Sequence, residues 1–101
     1  MKLKSYGKAV DGAGRDRGEV LVFYCPGCKY DHPFHVGGDN AAHPQWEFNG
    51  DMERPTFSPS LIVNRGTPKV CHLFLRDGKI EFLSDCWHSL AGQRVELPEM
   101  E

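Results

Sequence analysis

The sequence predicts a mostly-β fold of the small α+β kind: a zinc-stabilised antiparallel β domain with a β-hairpin and one short helix. Three observations carry that expectation. In KVCHLFLRDGKIEFLS, residues 69–84, two apolar runs flank Asp77-Gly78, a dipeptide that fits a two-residue type I′ turn because both of its residues tolerate positive φ. Cys25-Pro26-Gly27-Cys28 follows directly on the strand-like run EVLVFY, residues 19–24. The third is size: 101 residues with 11 Gly, 7 Pro and 4 Cys allow one domain, spanning 1–101, whose core is thin enough to need a staple.

Composition narrows the function classes. Hydrophobic residues at 40% and charged residues at 26% suit a globular protein rather than a disordered one. A net charge of −2 supplies no basic surplus for phosphate backbones, so nucleic-acid binding is not expected. The opening MKLKSYGKAVDGAGRDRGEV lacks the apolar run of about 7–15 residues that a secretory signal needs. No segment approaches the roughly 20 apolar residues of a membrane span. The expected setting is the cytoplasm, with no membrane partner. Cytosolic thiols stay reduced, so Cys25, Cys28, Cys71 and Cys86 are expected to serve a metal rather than disulfides.

Taken in order, the first ten residues alternate loosely enough for a strand, and DGAGRDRG, residues 11–18, reads as a loop. Residues 1–18 are expected to be a mobile strand and loop, with five basic and two acidic residues up to Arg17 making a solvated flank. EVLVFY is the strongest strand. VGGDNAAHP, residues 36–44, reads as a loop, QWEFN (45–49) as a strand, PTFSPS (55–60) as an edge or connection, and SLIVN (60–64) as a strand. In the hairpin, Leu73 is expected opposite Phe82 and Leu75 opposite Ile80. Cys71, Leu73, Leu75, Ile80 and Phe82 then share the buried face, while His72, Phe74, Arg76, Lys79, Glu81 and Leu83 share the other. Asp85 as N-cap and Gly92 as the exit predict a helix of about two turns starting at Cys86. A thiol in that first turn would have a lowered pKa, the form a metal wants. RVELPEME predicts a last short strand, with 98–101 a frayed tail.

Two cysteines three apart on a Pro-Gly turn point both sulfurs at one ion. Cys71, on the inner face of the hairpin, and Cys86, just after it, supply the second pair, so Cys25, Cys28, Cys71 and Cys86 are the expected ligands of a Zn2+ ion. Either His72 or His88 could replace one of them, because imidazole binds zinc equally well. The redox reading of C-x-x-C is disfavoured, since CKYDHP after Gly27 gives little helix. His32, His35 and His43 read as surface residues, Trp46, Phe48 and Phe57 as core aromatics, and Asp51, Glu53 and Arg54 as a solvated turn. For a catalytic zinc, Glu47, Glu53 or Asp85 could act as base. However, no H-E-x-x-H, deaminase signature, phosphate loop or G-x-S-x-G elbow is present, so no catalytic residue is assigned.

FYCPGC, WEFNGDMERPTFSPSLIV and CHLFLRDGKIEFLSDCWHSLAGQRVELP together resemble a family of small uncharacterised proteins common in phages and prophages, sometimes labelled ammonia monooxygenases. The resemblance covers about residues 20–98. Related domains are similar to ones in bacterial ubiquitin-like conjugation operons, which implies a metal-binding role. The family pattern marks Cys25, Cys71, His72, Asp85, Cys86 and His88. Trp46-Glu47-Phe48 stands where the family often has two Trp, and Trp87 where a small polar residue is usual. The resemblance implies a zinc-binding protein in the cytoplasm of a bacterial host that acts without catalysis by binding a host or phage protein, as an anti-defence or host-modulating factor. The alternative is a small hydrolase-like zinc metalloenzyme with an acidic base. An exposed apolar patch would favour the first, and an open ligand position beside a carboxylate the second.

Overall fold

Alternation along β2 (Asp16–Cys25) places Leu21, Phe23 and Cys25 on one face, and all three are buried. In the computed structural model, which describes residues 1–100, β2 is the centre of a three-stranded antiparallel sheet. Its neighbours are β1 (Lys4–Val10) and β3 (Tyr30–Val36). β3 was not anticipated as a strand, because YDHPFH is poor in β-branched residues and contains Pro33. β3 pairs only with β2. Its outer edge therefore has no ladder for Pro33 to interrupt.

A two-stranded ribbon follows, β4 (Glu47–Phe48) against β5 (Phe57–Ser58). The second large sheet runs in the order β6 (Leu61–Val63), β7 (Cys71–Arg76), β8 (Lys79–Phe82), β9 (Arg94–Glu96), each pair antiparallel. The β7–β8 hairpin has the expected register, with Leu73 opposite Phe82, Leu75 opposite Ile80 and Arg76 opposite Lys79. Its turn is of the expected type: Asp77 and Gly78 have φ of 50° and 72°. Cys71, Leu73, Leu75, Ile80 and Phe82 are all buried, which makes this hairpin the inner wall of the core. Each large apolar side chain there contributes about 1.5–3 kcal/mol by leaving water. Phe34 of β3 stacks on Phe57 of β5 at 3.9 Å, and Phe48 stacks on the other side at 4.6 Å, joining the first sheet to the ribbon.

The short helix expected from Cys86 does not form. Residues 86–93 instead make successive turns, closed by Cys86 N–H to Leu83 O, Ala91 N–H to His88 O and Gln93 N–H to Leu90 O. Two tertiary bonds fix the start of this segment: Trp87 N–H donates to Val70 O at 3.0 Å, and Cys86 Sγ is held by the backbone of His72, so the chain here follows the edge of the sheet. The strands, not a helix dipole, set the surroundings of Cys86. His35, expected at the surface, is buried; its Nδ1 bonds Arg17 O at 3.0 Å and its ring stacks on His43 at 3.7 Å. At the chain ends, Leu97 is buried with its N–H on Gly78 O, and Met100 N–H donates to Met1 O. Among the described residues, no helix is long and apolar enough to cross a membrane.

Candidate metal centre and catalytic row

Successive residues of a strand point to opposite faces, and β7 uses both. Cys71 faces inward and is fully buried, while the next residue, His72, faces outward and is only partly covered. Two clusters of chemically active side chains have grown on these two faces.

The inner cluster joins β7 to the end of β2. Cys25 closes β2, and the chain reverses through Pro26-Gly27 so that Lys29 N–H reaches Cys25 O at 2.7 Å. Lys29 takes a positive φ of 65° to complete the turn. Cys28 N–H points at Cys25 Sγ, 3.3 Å away, the backbone-to-sulfur bond expected when both thiols serve one ion. Potential ligand atoms of Cys25, Cys28, His32 and Cys71 all lie within 4.8 Å of one another, and all four residues are buried. His32, expected at the surface, comes in because β3 folds back on β2 with His32 opposite Phe23. Its Nε2 is buried with no hydrogen-bond partner, which a folded protein seldom tolerates unless something else satisfies it.

The electrostatics of these thiols favour a single negative charge shared among neighbours. Cys25 is pulled down to about 4 by a hydrogen bond from Cys71, with help from His32 and the Cys28 amide. Cys71 is pushed far up because it is the donor to Cys25, and burial adds to this. Burial also raises Cys28, against a bond from Trp87. One thiolate is thus accommodated while its neighbours are held as thiols. Three sulfurs and an imidazole at these separations fit a metal ion, whose positive charge would let all three thiols ionise.

Cys86 and His88 form a second group with Cys71. His88 Nδ1 accepts the Leu90 N–H at 3.3 Å. The proton of the neutral ring therefore sits on Nε2, which donates to Cys71 Sγ at 3.4 Å. Trp87 Nε1–H approaches Cys28 Sγ at 3.4 Å in the same way. The His88 ring packs so tightly on Gly27 that a Cβ there would lie 2.3 Å from it, which explains the glycine in this turn. Of the four cysteines expected as ligands, the structure gathers Cys25, Cys28 and Cys71, and places Cys86 beside Cys71 and His88 without Cys25 or Cys28. None of the four is in a disulfide.

The outer face of β7 carries the other cluster. β6 pairs with β7 so that Ile62 lies opposite His72. Ser60, two residues before Ile62, shares its face by alternation. Ser60 Oγ lies 3.0 Å from His72 Nε2, and Asp85 Oδ2 lies 3.4 Å from His72 Nδ1. A carboxylate can only accept, so the ring proton belongs on Nδ1, and Nε2 is left to accept from the serine hydroxyl. Ser60 is further held by Trp46 Nε1–H, which donates to its carbonyl at 3.2 Å. Both nitrogens of His72 are thereby engaged on the face away from the thiols. The order hydroxyl, imidazole, carboxylate is the arrangement that activates a serine as a nucleophile, and it recurs on unrelated folds.

A family model described as "Bacterial ubiquitination-like system serine protease (BubE)" matches residues 3–83. The chain belongs to the BubE family. No curated protein and no solved structure matches it significantly. BubE membership agrees with the part of the expected resemblance that concerned ubiquitin-like conjugation operons. The match takes in Ser60 and His72, and ends two residues short of Asp85.

Sequence reading assigned no catalytic residue and missed the role of Ser60. The three residues are separated by 12 and 13 positions, and no short motif unites them. The usable signal was the resemblance, which marked His72, Asp85 and the PTFSPS block that ends in Ser60. Predicted strand pairing already put His72 on the face opposite Cys71.

Proposed function

We propose that this BubE-family chain is a serine peptidase in which Ser60 is the nucleophile, His72 the general base and Asp85 the group that orients it. The observation that carries this is the row from Ser60 Oγ through His72 to Asp85, a hydrogen bond of 3.0 Å followed by an imidazole–carboxylate contact of 3.4 Å. The longer second contact, to a half-exposed carboxylate, has the loose geometry common in catalytic sites without substrate. Ser60 Oγ attacks the scissile carbonyl while its proton passes to His72 Nε2. The imidazolium, held by Asp85, then gives that proton to the departing amine as the C–N bond breaks. Water, deprotonated by the same nitrogen, hydrolyses the resulting ester and returns Ser60 to its hydroxyl form. The family description names a serine protease of a ubiquitination-like system, which supports a peptide or isopeptide bond at the carboxyl end of a ubiquitin-like protein as the substrate.

The inner cluster is a structural zinc site with Cys25, Cys28 and Cys71 as three ligands and His32 as the fourth. Burial of all four supports a closed site without a water position, which argues against a metallohydrolase. Bound there, the ion ties the turn after β2 to β7 and so fixes the strand that presents His72. His88 and Trp87 donate to ligand sulfurs rather than binding the ion. A reducing cytoplasm fits these free thiols. The protein partner expected from the sequence is, on this reading, the substrate. In place of non-enzymatic binding to a host or phage protein, the outer face favours cleavage.

The test is hydrolysis of a ubiquitin-like protein extended at its carboxyl terminus, followed by mass spectrometry. Cleavage by the wild-type protein that is lost in Ser60→Ala and insensitive to chelators over short exposure is the expected result. Cleavage that survives Ser60→Ala would overturn the assignment.

A further inference from the structure

Cys86 stands outside the four-residue cluster of Cys25, Cys28, His32 and Cys71, beside Cys71 and His88. Its thiol is buried and makes two bonds to a single residue, the base. The His72 N–H donates to Cys86 Sγ at 3.2 Å, and Cys86 S–H donates to His72 O at 3.1 Å. The ladder explains why a side chain is needed there. His72 stands beside Leu83, whose N–H reaches His72 O at 2.9 Å, but the returning bond does not form. Leu83 O is instead occupied by Cys86 N–H at 3.2 Å and Gly92 N–H at 3.4 Å, as the chain turns off the end of β8. Without Cys86 Sγ, the His72 amide would be a strand donor with no acceptor on that side. The same turn sets Asp85, one residue earlier, against His72 Nδ1.

We infer that Cys86 is a positioning residue of the catalytic row, clamping the backbone of His72 and delivering Asp85 to its ring, and is not a metal ligand. The inference rests on the serine-peptidase reading. It departs from a four-cysteine zinc site, since Cys86 lies with Cys71 and His88 and not with Cys25 and Cys28, and His32 stands free to fill the fourth place. Serine can replace cysteine in such a clamp, because a hydroxyl also accepts one bond and donates another. It cannot replace a thiolate ligand of zinc, whose preferred donors are thiolate sulfur, imidazole and carboxylate. The two roles therefore respond oppositely to the same substitution.

The experiment measures zinc per chain and the rate of covalent labelling by a fluorophosphonate probe in wild type, Cys86→Ser, Cys86→Ala and Ser60→Ala. Expected are one zinc in every variant, labelling of Cys86→Ser within about 3-fold of wild type, and labelling of Cys86→Ala slowed about 10- to 100-fold. Should Cys86→Ala fail to fold, the serine variant alone decides. Loss of zinc from Cys86→Ser makes Cys86 a ligand and overturns the inference. So does labelling of Cys86→Ala at the wild-type rate. Failure of the wild-type protein to label, or labelling that persists in Ser60→Ala, instead overturns the peptidase reading on which the inference stands.

Discussion

The two faces of β7 do opposite things with neighbouring residues. Cys71 points into a dry cluster where every polar atom must be satisfied by another buried group, and a thiolate is tolerated only beside donors or a cation. His72, one residue on, points to a face where Ser60 is half-buried and Asp85 half-exposed, and where a substrate could approach. The inner face needs rigidity and closure. The outer face needs access and one correctly aimed proton acceptor. The strand separates them by geometry alone, since successive side chains cannot share a side, and joins them mechanically, because one backbone carries both.

The comparison is broken most severely by depriving the inner face of the zinc proposed for it. Exhaustive chelation, or Cys25→Ser, is expected to unfold the domain. Structural zinc contributes an apparent free energy of order 10 kcal/mol, comparable to the whole stability of a small domain. Circular dichroism during chelator titration checks this, and a chelated protein that melts like the untreated one would remove the inner face from the account. Next comes Ser60→Ala. It should lower peptidase kcat by about 10⁴-fold or more while leaving the melting temperature and zinc content unchanged, which separates the faces cleanly. Asp85→Asn should be milder, about 10²- to 10³-fold in kcat with KM little changed, because the carboxylate is half-exposed and its contact with His72 is loose.

Two smaller effects sharpen the structural side. Gly78→Ala should destabilise by about 1–2 kcal/mol in denaturant titration. Gly78 has a φ of 72°, and a Cβ there would meet Arg54 Cα at 3.2 Å. His35 supplies a pH signature remote from both clusters. Burial lowers its pKa, only partly offset by the bond to Arg17 O. Below about pH 6.5 the unfolded chain takes up a proton that the folded one refuses, so stability falls as pH falls. His35→Gln should flatten that slope below about pH 6.5, and an unchanged slope would assign it to other groups.

The β7–β8 hairpin was legible to the residue because its information is local: a turn dipeptide and strict alternation on both sides. The same alternation foretold that Cys71 and His72 would part company. β3 was not legible, since an edge strand tolerates Pro33 and needs no β-branched run, and with β3 went the burial of His32. The expected helix after Asp85 failed for the converse reason. Its local signals were real, but Cys86 and Trp87 are bound to β7 and to the segment before it, and those partners are visible only once the sheet exists. The proposed catalytic row was hardest, because Ser60, His72 and Asp85 sit on three separate segments and meet only through the β6–β7 register and the turn after β8. No spacing rule on a single chain encodes that meeting.

The central claim is that a structural metal centre and a serine nucleophile occupy opposite faces of one strand. Native mass spectrometry of the fluorophosphonate-treated protein, with peptide mapping, tests it in one spectrum. The account predicts one zinc and one probe on each chain, the probe on Ser60, and a Ser60→Ala protein that keeps its zinc and takes no probe. A probe elsewhere, or a chain that carries no metal yet labels and remains folded, would contradict it.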